Sequence, residues 1–310
     1  MTDTSLYSLS VIIPTYNESD RLFEVIKSLS KQTYPRNLVE ILVVDDGSTE
    51  SIDQQALIRH AKPFKLSLFR NKNNQGRACS RNTGLRNASG KIIIFLNNNI
   101  TVLPNFFSSH AQMHKTKTNC VAIGNIMWAN EIPNNPFTRY SSNRGVHRSN
   151  VSNEIPFKCF VTENSSVPRS LIDSTGPFDE DFKTYGGEDL ELGVRLHSKE
   201  AKFFYNPQAL SYHHHSRPLT DFCKLMYGYG LRSLPIVVEK HPILKDILRL
   251  SFLDGKNRIL FRIALFRPIY WTILFLTRLG MYGYVPDLFF DYLIWYNRTK
   301  GYLKSLSKKL

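Results

Sequence analysis

The sequence predicts an α/β fold, a mostly parallel sheet with helices on both faces, followed by a helical C-terminal extension. Three observations predict it. Short apolar runs alternate with helix-spaced segments along roughly the first hundred residues, the pattern of strands joined by crossover helices. Polar clusters close those runs, at Thr15 to Glu18, Asp45 to Ser48 and Asn97 to Asn99, and parallel sheets bind ligands beyond the carboxyl ends of their strands. From Pro218 onward longer helical segments replace the strand-like runs.

Taken in order, Leu9 to Ile13 is a buried strand stopped by Pro14,. Thr15 to Glu18 turns the chain into an amphipathic helix over Asp20 to Leu29. Val39 to Val44 is the second strand, closed by Asp45-Asp46-Gly47-Ser48. A helix over Ile52 to His60 follows, then an alternating strand from Lys65 to Phe69. Asn71 to Gly76 is a polar loop, Arg77 to Arg86 a helix, and Lys91 to Leu96 the fourth strand. Lys202 to Tyr212 reads as a strand, and Asp221 to Val238 and Ile243 to Leu253 as helices. Met127 to Lys158, rich in Asn, Pro, Ser and Arg, has little periodicity and reads as a long irregular segment,.

Composition narrows the partners. The 310 residues carry a net charge of +14, with 42% hydrophobic and 21% charged residues, ordinary for a folded chain. Such a charge points to nucleic acid, an anionic membrane or a phosphate-bearing ligand. No zinc finger, ribonucleoprotein motif or basic heptad helix occurs, so no nucleic acid partner is expected. Cys79, Cys120, Cys159 and Cys223 lie far apart, which suits a reducing compartment and no zinc module. No signal peptide is expected, because the apolar run from Leu9 is too short. Neither Gly-x-Gly-x-x-Gly nor a P-loop follows the first strand, which argues against a dinucleotide fold. The missing Gly-rich strand-one loop also argues against a nucleotidyltransferase.

Tyr185-Gly186-Gly187-Glu188-Asp189 carries the chemistry. Two glycines allow a sharp turn, and Leu190 and Val194, and Leu192 and Leu196, then recur at a helical spacing of four,. Glu188 and Asp189 therefore open a helix, whose N-terminal dipole favours an ionised carboxylate. An ionised, positioned carboxylate is a general base; the same two acids could also simply cap the helix.

Val11 to Glu18, Val43 to Ser48, Gly76 to Asn82, Phe178-Asp179-Glu180 and Gly187-Glu188-Asp189 resemble, in order, the motifs of family-2 glycosyltransferases of the GT-A fold. The resemblance covers roughly residues 8 to 216 and implies an inverting transferase with a nucleotide-sugar donor, UDP being expected, bound over the strand ends. It implies that Asp189, beside Glu188, is the base. Pro14, Tyr16, Glu18, Asp45 and Asp46 would meet the donor, with Arg81 near its base or diphosphate; Asp45 and Arg81 could instead simply buttress turns. Thr162 to Val167 resembles the family's acceptor-side strand, which puts Asn164, with Gly187, on the acceptor side. Within the irregular segment, Trp128, Tyr140, Arg144 and His147 either line an acceptor pocket or anchor a loop,.

One site departs from the family pattern. Where the family has Asp-x-Asp, this chain has Asn97-Asn98-Asn99. Asn97 can still hydrogen-bond a ribose, but Mn2+ and Mg2+ favour carboxylate oxygens. Three outcomes stay open: a divalent metal held weakly by Asn99 and a histidine, His213 by position; leaving-group neutralisation by Arg81 and Arg217 without metal; or a silent nucleotide-binding scaffold. In His213-His214-His215, a strand would put His213 and His215 on one face.

In the tail, Arg258 to Tyr302 mixes aromatic and apolar residues with arginines. Its uncharged apolar runs, such as Pro268 to Thr277, fall short of the ~20 residues that span a bilayer. Either a membrane-interface segment or a packing and oligomerisation subdomain fits. Gln-x-x-Arg-Trp and multiple spans, features of the processive synthases, are missing, so polymer extrusion is not expected. The expected division is a catalytic domain at 1–216 and a helical extension at 217–310. The expected acceptor is a glycan or lipid-linked sugar met at the cytoplasmic face of a membrane, with a homo-oligomer allowed.

Overall fold

Leu9–Thr15 (β1) is buried at every position and lies between two parallel neighbours, Val39–Asp45 (β2) and Ile92–Leu96 (β4). A strand covered on both faces needs a continuous apolar run rather than an alternating one, and Val11-Ile12-Ile13 supplies it. The structure is a computed structural model that describes residues 6–144, 154–253 and 263–307. The described residues fall into two units. One is drawn from Met1–Glu131, Gly145–Lys183 and Glu188–His215; the other from Ile132–Arg144, Thr184–Gly187 and Ser216–Leu310.

In the first unit, Lys65–Arg70 (β3) joins β2, so the order β3-β2-β1-β4 is parallel throughout. The order reverses at β1, which puts a ligand-binding crevice at the carboxyl ends of β1 and β4. Beyond β4 the sheet is mixed. Asn164–Pro168 (β8) runs antiparallel to β4, followed by Cys120–Trp128 (β6), Lys202–His213 (β9) and Ile100–Val102 (β5), with Glu154–Ile155 (β7) also on β9. The α/β class with helices on both faces is therefore as expected.

Period-two alternation sorts β1 between two cores. Val11 and Ile13 pack with Leu22, Val25 and Ile26 of Ser19–Ser30 (α1), whereas Ile12 packs with Ala78 and Leu85 of Arg77–Asn87 (α3),. Gln54–Ala61 (α2) and Phe106–Thr116 (α4) contribute to the first core. Arg169–Thr175 (α6) and Glu188–Ser198 (α7) contribute to the second.

The segment expected to be irregular is partly regular. Strand β6 runs to Trp128, and Pro136–Ser142 (α5) is a helix with Asn135 and Thr138 forming a reciprocal cap and Pro136 in its first turn. Asn-Pro-x-Thr is a start signal whose weight was masked by the surrounding polar composition. His147 lies outside the described residues.

The second unit also contains Leu219–Lys240 (α8), Leu244–Ile247 (α9), Arg267–Gly280 (α10) and Asp287–Leu306 (α11). Helices α8 and α11 meet through Gly230 and Gly301: a Cβ on Gly230 would run into the Arg298 carbonyl, and one on Gly301 into that of Tyr227. Phe137, Leu274, Phe290 and Leu293 form its core. Among the described residues no helix is long and apolar enough to cross a membrane.

Candidate active site

The strand-end loops are built by their own polar side chains. Asp45 accepts from the amide and hydroxyl of Ser48, at 3.0 and 2.6 Å, and its Oδ2 lies 3.3 Å from Arg70 Nη1. Asp46 accepts from Asn71 Nδ2 and from the amides of Gln75 and Gly76, at 2.8 to 3.0 Å. Both carboxylates are buried, and what they visibly hold is the turn after β2 and the entry to α3. Asn17 joins the β1 and β2 ends, accepting from Thr49 and donating its amide to Ser48 Oγ. Pro14 is buried inside β1, while Tyr16 just beyond is exposed.

The asparagine triplet stands at the end of β4. Asn97 donates from its backbone to the Glu163 carbonyl (3.2 Å) and from its side chain to the Glu163 carboxylate (3.3 Å). Asn98 donates to Thr15 Oγ1 and Glu18 Oε2, both at 3.0 Å. Asn99 Oδ1 is buried without a hydrogen-bond partner, and its backbone carbonyl accepts from His214.

Glu163 leads from the triplet to the two acids. Its neighbour Thr162 is buried and holds Asp189 twice, through Oγ1 at 2.8 Å and the backbone amide at 3.3 Å. Asp189 sits in the first turn of α7, where its side chain stays 23% exposed. Beneath it, Arg81 is 1% exposed; its Nη1 lies 3.0 Å from Glu188 Oε1 and 3.6 Å from Asp189 Oδ1, with Phe178 below the guanidinium. Burial first, and then the Asp189 charge, push the Glu188 carboxyl above its ordinary range, against the pull of Arg81 and Arg77. One cation thus braces two adjacent acids, one buried and one open to solvent. A buried pair of this kind is costly to break.

Gly186 and Gly187, at φ of 78° and 101°, take the left-handed conformation that only glycine adopts cheaply. The loop carrying them is tied within the second unit, where Ser233 Oγ donates to the Tyr185 carbonyl and lies 3.1 Å from Thr184 Oγ1.

At the far edge of the sheet, His213 pairs in register with Trp128, their rings edge-on at 5.3 Å. His213 Nδ1 accepts from the His215 amide, whereas His214 is fixed between Glu131 and Thr101. The donor set does not fit a divalent ion held by carboxylates. Asn97 and Asn98 turn their amide N–H groups toward acids, Asn99 offers one neutral oxygen, and the described residues contain no group of three His, Cys, Asp or Glu that could hold a metal,.

Two acceptor-side expectations meet burial. Asn164 is wholly buried, its amide donating to Ala209 and Ser211 and its oxygen facing His110. Tyr140 is an anchor in the second unit, its hydroxyl donating to Asp291 at 2.6 Å. Neither faces solvent, so neither can line an open acceptor pocket in this conformation.

Residues 10–174, more than half of the chain, match the family model described as Glycosyl transferase family 2. The chain belongs to that family. A second model, Glycosyl transferase family group 2, matches residues 137–298. The uncharacterized glycosyltransferase YfnE of Bacillus subtilis is 28% identical over 253 residues, 66% of this chain and 64% of that one. Validoxylamine A glucosyltransferase of Streptomyces hygroscopicus subsp. jinggangensis is 28% identical over 222 residues, 61% and 51% of the two chains. The chain therefore spans less than two thirds of either relative. Among solved structures, the mannosyltransferase PcManGT from Pyrobaculum calidifontis, in complex with GDP-Man and Mn2+, aligns with a TM-score of 0.63 at 20% identity, covering 99% of this chain and 89% of that one. S. aureus TarS 1-349 in complex with UDP aligns with a TM-score of 0.57 at 18% identity, covering 98% and 92%. At such identities the likeness bears on the fold, which is of the expected GT-A type.

For this family 2 chain, the resemblance puts Thr162 and Glu163 at the acceptor-side strand, but their partners, Asp189 and Asn97, are marked by no motif or periodicity and come from the fold.

Proposed function

We propose that the chain transfers a sugar from a nucleotide diphosphate sugar, with UDP the expected nucleotide, to a hydroxyl of a glycan or lipid-linked acceptor. The observation that carries this is Asp189, a partly open carboxylate aimed by Thr162 and braced by Arg81, joined through Glu163 to the end of β4. In a single displacement, the acceptor oxygen attacks the anomeric carbon while Asp189 takes the hydroxyl proton. The bond from that carbon to the diphosphate oxygen breaks, and the nucleoside diphosphate leaves from the opposite face, inverting the centre. Thr162 and Arg81 act as positioning residues for the base. Tyr16 stands exposed where a base or ribose would meet the β1 end. Peripheral attachment to the cytoplasmic face of a membrane would bring a lipid-linked acceptor to the site.

The neutral Asn97-Asn98-Asn99 triplet favours a second reading, a silent nucleotide-binding homologue. Thermal stabilisation by UDP, GDP and TDP, followed by assay of diphosphate release from the matching nucleotide sugars, separates the two. Stabilisation with sugar-dependent release that disappears in Asp189→Ala supports transfer. Stabilisation without release points to the silent homologue, and no stabilisation by any nucleotide overturns the donor site.

A further inference from the structure

Helix α10 is apolar on two sides. Leu274 is buried and Tyr270 and Ile273 half-buried against the core of the second unit, with Tyr270 stacked on Tyr296 at 4.3 Å. The opposite side is mostly apolar. Trp271, Phe275 and Leu279 follow one another at i, i+4 and i+8 and are 59, 60 and 57% exposed, with Leu276 beside them. At ~100° per residue, these four side chains span an arc of roughly 140°, with Thr272 the one polar residue inside it. Arg267 and Arg278, both exposed, lie along one edge of that arc. In the turn that follows, Tyr282 is 97% exposed and Tyr284 nearly as open. A contiguous exposed patch of this kind marks an interaction surface.

We propose that this face of α10 and the Tyr282–Tyr284 turn insert into the interfacial layer of an anionic lipid bilayer. The proposal deepens the peripheral attachment already put forward, naming the surface and the lipid charge it fits. Anionic headgroups would pair with Arg267 and Arg278, exposed along this face,. Tryptophan and tyrosine suit the bilayer interface, where ring and polar tip meet different surroundings. An apolar helix face lying in the plane of the headgroups would reach about 5–10 Å deep. A second copy of the chain fits less well. A two-fold contact sets the same patch against itself, and Arg267 and Arg278 along its edge would then come near like charges.

Sedimentation of the full chain with vesicles tests this, using phosphatidylcholine alone or mixed with phosphatidylglycerol. The wild type should partition onto the mixed vesicles, less onto the neutral ones, with a blue shift in emission that Trp271→Phe removes. A variant carrying Trp271→Ser, Phe275→Ser and Leu279→Ser should bind about tenfold or more weakly, and because these residues are exposed its thermal midpoint should stay near that of the wild type. Wild-type protein that stays in the supernatant with both vesicle types, or a triple variant that binds as well as the wild type, overturns the proposal. So does a wild-type dimer that the triple variant makes monomeric without any vesicle binding, which would assign the face to a second copy. Nucleotide-induced stabilisation, measured on the same two proteins, is independent of lipid. Its loss in both would count against the donor site alone.

Discussion

Acid should unfold this protein through two histidines that lie inside the first unit. His110 and His114, one turn apart on α4, face Asn164 and Ser166 of β8. Asn164 uses its amide N–H groups on other partners, so its oxygen accepts from His110 Nε2. Ser166 then donates to His110 Nδ1 and accepts from His114 Nε2, which leaves His114 Nδ1 unprotonated and without a partner. Both rings are therefore neutral, and a proton added to either has no acceptor. Burial lowers His110 to about 4, and burial together with His110 lowers His114 to about 3. In the unfolded chain both titrate near ~6.5. The unfolded state thus binds protons first as pH falls: the stability is whole above ~6.5 and drains away below it. At ~1.4 kcal/mol per pKa unit the full terms come to about 3 and about 5 kcal/mol. Between about pH 7 and about pH 5 the pair together removes about 4 kcal/mol, a large part of the ~5–15 kcal/mol of a typical domain. Glu188, raised by burial, works in the opposite direction, so a variant comparison is cleaner than one pH series. His114→Gln keeps a donor toward Ser166 and removes one titration. Urea unfolding at the two pH values should show the variant losing about 2 kcal/mol less than the wild type. Equal losses in both proteins, or a wild-type loss below about 1 kcal/mol, would refute the assignment of neutral buried rings.

Three further outcomes follow from the site. Thr162→Val removes the 2.8 Å hydrogen bond to Asp189 and keeps the backbone one; kcat should drop about tenfold with the nucleotide-induced thermal shift unchanged, and an unchanged kcat would free Thr162 of any positioning role. Arg81→Leu strands Glu188 in the interior, and denaturant melts should show a loss of about 3–5 kcal/mol, with Arg81→Leu/Glu188→Leu recovering part of it. Asn99→Asp puts a carboxylate where a buried oxygen has no partner. Its thermal midpoint should fall without Mn2+ and recover on adding it, and a response to Mn2+ equal to that of the wild type would show that position 99 does not face a metal-binding space.

Much of the first unit can be read from local order. The uninterrupted apolar run at Val11-Ile12-Ile13 calls for a strand covered on both faces, and the carboxylates after Gly186-Gly187 must open a helix once Leu192 and Leu196 turn inward. These follow from backbone conformation and side-chain period, which act over a few residues and need no partner. The same is true of the polar strand ends, because in a parallel sheet they collect on one side. What pairing and packing decided lies at longer range. Asp45 and Asp46 resemble ligand contacts in a motif; that Asp45 Oδ1 also holds Ser48, and Asp46 the start of α3, is decided by the fold. Arg81 could have faced a diphosphate; helix packing instead buries it under Glu188 and Asp189, 107 and 108 positions along the chain. Glu163 meets Asn97 only because β8 returns antiparallel beside β4, and Thr162 meets Asp189 only where α7 starts beside it. On α10 the apolar residues are nearly continuous in sequence, and only docking on Phe290 and Leu293 settles that Leu274 turns in while Trp271 and Phe275 turn out. Period and propensity act through neighbours along the chain, whereas burial and charge partners depend on which distant elements meet, and that is a property of the fold alone.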